Sequence, residues 1–111
     1  MEKPKQIVVA VPELSSHDAV SRDAVCQFEW LRLANYNVFL YAENWLNPSI
    51  QGRISKNELL KIGVSKDAIL LYRHAVFWQQ GQEILETWGG KVLLRYHSVT
   101  PPRFFKGYDF F

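Results

Sequence analysis

The sequence predicts an α/β fold in which a parallel sheet carries helices on both faces. Four short runs, QIVVAV (6–11), VFLYA (38–42), AILLY (68–72) and KVLLRYH (91–97), are rich in Val, Ile, Leu and Tyr and almost free of polar interruption. Strands covered on both sides read this way. The connections repeat apolar residues at helical spacing. Each is also long enough for the crossover that parallel strands require.

The first strand leads into the loop PELSSHDAVSRDA and a helix over about Asp18–Ala34. Val20, Ala24, Phe28 and Leu31 recur at steps of four and three and give that helix one apolar face. Asp18 or Ser16 caps its start, and Asn35 suits a left-handed residue at its end. The middle connection, 43–67, turns at Asn47-Pro48, then enters a short helix through SKNE (55–58), a capping box of Ser55 and Glu58. LLKIG carries that helix to Gly63. In the last connection Phe77, Gly81, Ile84, Leu85 and Trp88 share a face, and Gly89-Gly90 ends the helix. Gly81 weakens the helix but permits close approach to the sheet. The order β-α-β-α-β-α-β with right-handed crossovers predicts a Rossmann-like sheet of strand order 3-2-1-4. Its ligand crevice is expected at the carboxyl ends of the strands, near the switch between strands 1 and 4.

Composition bounds the function. Hydrophobic residues make up 48% and aromatics 14% of 111 residues, which fits one globular domain over 1–111. The net charge of +2 is spread along the chain with no basic run, so no nucleic-acid partner is expected. Cys26 is the lone cysteine, which excludes an intrachain disulfide and suits a reducing, cytoplasmic setting. Ile7–Val11 is too short for a signal core or a membrane span.

All three histidines fall where strands end: His17 after strand 1, His74 after strand 3 and His97 at the end of strand 4. One such histidine is ordinarily a surface or satisfied core residue; three on one edge favour a cleft. Their spacing matches no zinc motif, and no metal is expected. Ser15, Ser16, His17 and Asp18 lead into a helix N-terminus, where backbone N–H groups attract a phosphate or other anion. Plain capping explains the same residues. The loop is not G-x-G-x-x-G, and no nucleophile elbow is present.

Four stretches carry a resemblance: LSSHDAVSRDA, YAEN, AILLYRHAV and LLRYHSVTPPRFFKGYD. Together they resemble the start of family-four glycosyltransferases of the two-Rossmann-domain (GT-B) type. That family opens with a strand, an S-x-G-D-A loop and a helix, and later carries Y-H-H-like and Y-H-N-x-T-P-P-x-F-F segments. The likeness runs over nearly the whole chain, and the last segment is its most specific part. This sequence departs at His17, where the family has Gly, at Arg73 in place of the first His, and at Ser98 in place of Asn.

The resemblance implies an incomplete N-terminal GT-B domain, mainly acceptor-binding, with glycosyl transfer from a nucleotide sugar as the chemistry. His97 would be the catalytic-site candidate, Ser15–Asp18 the phosphate or acceptor loop, and His74 the cleft rim. No cofactor is implied; the nucleotide sugar is a co-substrate. The donor-binding C-terminal GT-B domain lies outside these residues, and the isolated chain is not expected to be competent. The expected partner is that domain or a second copy, because RFFKGYDFF places Phe104, Phe105, Tyr108, Phe110 and Phe111 together beside an open strand edge. A non-catalytic interaction module derived from such an enzyme is the alternative. A flavodoxin-like signalling domain is disfavoured, since VPELSS supplies only Glu13 after strand 1.

Overall fold

A computed structural model describes residues 6–15, 19–46, 50–74, 78–96, 109 and 110. The elements are β1 (Gln6–Leu14), α1 (Ala19–Leu33), β2 (Asn37–Trp45), α2 (Lys56–Gly63), β3 (Ile69–His74), α3 (Gln79–Thr87), β4 (Lys91–Tyr96) and β5 (Asp109–Phe110). All strand pairs are parallel. The α/β class and the Rossmann-like parallel sheet are as the sequence predicts.

The strand order is not. The sheet runs β2-β1-β3-β4-β5, so the expected 3-2-1-4 is corrected: β3 lies between β1 and β4, not outside β2. Among the described residues, the place beyond β2 holds a single bridge, Leu40 with Arg53. There the Leu40 N–H donates to the Gly52 carbonyl at 2.9 Å, and the Ile54 N–H donates to the Leu40 carbonyl at 3.1 Å. Counting apolar runs misses this contact because RI at 53–54 is too short to read as a strand. The switch point therefore falls between β1 and β3. The expected open edge at β4 is corrected too: Leu93 pairs with Asp109, and Leu94 with Phe110. Phe104, Phe105, Tyr108 and Phe111 lie outside the described residues.

Strand alternation divides the core into two faces. One face joins Ile7, Val9, Val11, Val38, Leu40, Ala42 and Leu71 to Ala24, Phe28 and Leu31 of α1. The other joins Val8, Ala10, Tyr41, Leu70, Tyr72, Val92 and Leu94 to Leu59 of α2 and to Ile84 and Leu85 of α3. Asn35 takes the left-handed conformation expected of it, at φ 69°. The capping box also forms: the Glu58 N–H donates to Ser55 Oγ at 3.2 Å, and the Ser55 N–H donates to Glu58 Oε1 at 3.4 Å. Gly52, at φ 99°, passes so close to the Phe28 ring that a Cβ would run into it.

One irregularity shapes the carboxyl edge. Val11 and Leu14 face α1, as do Ala42 and Trp45, so alternation slips by one residue in β1 and β2 at the same level. Pro12 sits at that level in β1. It has no N–H to donate, and the ladder from β1 to β3 stops at Ala10–Tyr72. β3 and β4 stay paired to His74–Tyr96. The β1–β2 ribbon thus parts from the β3–β4 ribbon just where a crevice is wanted.

Candidate functional site at the carboxyl edge

The split between β1 and β3 is the topological switch point, and ligands of open α/β sheets bind at such points. α1 packs on one face of the sheet and α3 on the other. Helices that follow parallel strands begin at the carboxyl edge, so both present their amino ends there.

Ser15 is the one residue of the predicted loop within the described part. Its backbone N–H donates to Ser21 Oγ at 2.9 Å, and the Ser21 hydroxyl donates to the Glu13 carbonyl at 3.2 Å. Ser21 is buried in the first turn of α1 and ties the end of β1 to the helix start. Ser16, His17 and Asp18 lie outside the described residues. His74 is the last residue of β3, in register with Tyr96 at the end of β4, which places it on the expected edge. His97, the next residue after Tyr96, lies outside the described residues.

On the α3 side the split is filled by a cluster that the sequence reading did not anticipate. Trp78, 6% exposed, sits immediately before α3. Its ring lies 5.7 Å from that of Tyr72 at 21°, and 6.4 Å from that of Tyr41 at 19°, both stacked. The indole N–H donates to Glu43 Oε1 at 2.7 Å. The Tyr41 hydroxyl donates to Gln80 Oε1. Two hydrogen bonds therefore reach from the start of α3 across β1 to β2. The strand between them carries Ala10 at this level, in register with Tyr41 and Tyr72, and a small residue leaves room for the indole.

Burial pushes the Tyr72 phenol above its ordinary value. Tyr41 is raised as well, by burial first and by the Glu43 carboxylate second, with Arg53 opposing. Both phenols stay neutral donors at physiological pH. Glu43 is exposed, so the carboxylate that receives the indole also faces solvent at the edge. Arg53 lies over the Trp45 ring, 5.1 Å from its centre.

Ser21 left one sequence signal: it falls three residues before Ala24 in an otherwise apolar stripe, and a polar residue there needs a partner. Trp78 left none that separates it from an ordinary core aromatic. No group of three His, Cys, Asp or Glu that could hold a metal occurs among the described residues. No helix there is long and apolar enough to cross a membrane. A separate surface depression of about 330 Å³ lies against the later half of α1, lined by Phe28, Glu29, Arg32, Ile50 and Gln51.

Comparison with protein-family models, with curated proteins and with solved structures returns no match. The glycosyltransferase likeness rests on the quoted motif residues alone.

Proposed function

We propose that the chain contributes the acceptor side of a glycosyltransferase that moves a sugar from a nucleotide-sugar donor, with the donor-binding domain supplied from outside these residues. The observation that carries this reading is the segment YHSVTPPRFF (96–105), which leaves β4 at Tyr96, beside His74. In the proposed site His97 approaches the reacting sugar, His74 forms the rim, and Ser15–Asp18 meet the donor phosphates. Stabilising a leaving diphosphate is an electrostatic task that needs donors from both domains around a closed, dry site. His17 stands where the family has Gly, a departure that counts against activity. Loss of catalysis with retention of the fold as an interaction module is the outcome that departure favours.

The strand order gives a second reading some weight. β2-β1-β3-β4-β5 is the order of flavodoxin-like domains, whose ligands also sit at the β1/β3 switch. A phosphate-dependent signalling domain of that kind wants acidic residues at the end of β1. VPELSS offers Glu13 alone, so the glycosyltransferase reading is preferred.

Calorimetry tests it. The purified chain with uridine- and guanosine-diphosphate sugars is expected to give no micromolar binding, because no second domain closes over the donor. Affinity purification from the native source, followed by mass spectrometry, is expected to recover a second Rossmann-like domain, joined or associated. Micromolar donor binding by the chain alone, or recovery without any such domain, would overturn the proposal.

A further inference from the structure

The β1–β3 ladder ends at Ala10–Tyr72. Beyond that level, side chains tie the β1–β2 ribbon to the start of α3. They are the Trp78 indole on Glu43, the Tyr41 hydroxyl on Gln80, and the stacking of Trp78 on Tyr41 and Tyr72. We propose that Trp78 is a bolt that closes the switch-point crevice from the α3 side, and that it withdraws as a local unit without unfolding of the sheet.

Three features favour local release. First, the acceptor for the indole is an exposed carboxylate, so water can solvate Glu43 when the bolt leaves, and no buried charge is stranded. Second, α3 begins with no side-chain cap: Trp78 is its N-cap residue, at φ −135° and ψ 104°, and makes no capping hydrogen bond. Loosening the first turn therefore breaks no cap. Third, the apolar anchors of α3, Ile84 and Leu85, lie a turn or more further on and can stay packed while the amino end moves. Segments whose hydrogen bonds solvent can reach open at lower cost than the global core.

Release would uncover the ring faces of Tyr41 and Tyr72 and leave an indole-sized aromatic slot beside Ala10 and Gly81. The slot would sit at the edge where the proposed acceptor lies. The inference does not depend on the glycosyltransferase reading, and its test needs no substrate.

The test is hydrogen exchange by NMR on the full 111-residue chain, with the Trp78 indole N–H identified by its loss in Trp78→Phe. The expected result is indole exchange at least tenfold faster than the slowest amides of β1 and β3, with weaker dependence on low denaturant. Glu43→Ala is expected to widen that ratio by roughly a further tenfold, the size of one charge-assisted hydrogen bond. Glu43→Gln, which keeps an acceptor oxygen, is expected to widen it less. Exchange that matches the slowest amides in rate and denaturant dependence would show that Trp78 moves only on global unfolding. Exchange at the rate of free indole would show that no bolt is engaged. Either result overturns the proposal, and once the Trp78 signal is identified the unmutated chain decides between them.

Discussion

Ser21 is a hydroxyl on the apolar face of a helix, and two hydrogen bonds account for it. It accepts from the Ser15 N–H and donates to the Glu13 carbonyl, which fixes the path of the chain as it leaves β1. Ser21→Ala removes both bonds from a buried site, while alanine is the better helix former by about 0.5 kcal/mol. Loss of the bonds outweighs that gain, so a net destabilisation of about 1–2 kcal/mol is expected in urea titration. The Ser15 amide should exchange faster in the same variant. A neutral or stabilising result would remove Ser21 as the anchor of the loop. The stretch PELSS reads as a loop, yet its Pro12 lies inside a strand of nine residues. Its effect needs a neighbour: a missing N–H matters only once β3 is known to lie alongside. That is why the split between the ribbons was not legible from the run VPELSS.

At the scale of single elements, legibility followed how local the signal was. The capping box of α2 is a contact between residues three apart, and the four letters SKNE were enough to find it. The end of α1 at a left-handed Asn35 is equally local. The start of α3 was less legible. The apolar periodicity runs back to Phe77, while the helix begins at Gln79, because Trp78 is drawn into the aromatic cluster and leaves helical geometry. Gly81 shows both halves of that competition. A Cβ there would overlap the Tyr72 hydroxyl and the Trp78 indole, and the indole is rigid and boxed in between rings. Gly81→Ala gains about 1 kcal/mol of helix propensity in principle. Overpacking a filled core costs about 1–3 kcal/mol, so a net loss of stability is expected. Thermal melts check this, and near-ultraviolet circular dichroism should report the displaced indole. A higher melting temperature would mean that the cluster is looser than its geometry implies.

Across the whole molecule, the class and the parallel sheet were legible because binary pattern and connection length set them. The strand order was not, since which strands neighbour one another depends on packing that no single run encodes. The candidate site divides similarly. His74 falls on the expected edge, whereas the Tyr41–Trp78–Tyr72 cluster that fills the split comes from three separate elements and left no joint pattern.

That cluster makes the stability of the entire sheet sensitive to alkali. In the folded chain, burial raises Tyr72, and burial with the Glu43 carboxylate raises Tyr41, so both phenols hold their protons beyond the ordinary value near 10. In the unfolded chain both titrate near that ordinary value. Above it the unfolded state releases protons that the folded state keeps, and rising pH therefore favours unfolding. Below about pH 9 both states are neutral at these groups, and their contribution is complete and flat. Between about pH 9 and 11.5 the melting temperature is expected to fall, with the loss continuing toward the folded-state values. Tyr72→Phe should flatten that decline more than Tyr41→Phe, because Tyr72 is the more deeply buried and Tyr41 feels the opposing Arg53 charge. Lysines lose charge over the same interval, but they do so in all three proteins, so the difference in slope isolates the phenols. Equal slopes in the unmutated chain and in Tyr72→Phe would mean that the Tyr72 hydroxyl reaches water in the folded state, and that the α3 side of the crevice is open and not sealed by the aromatic stack.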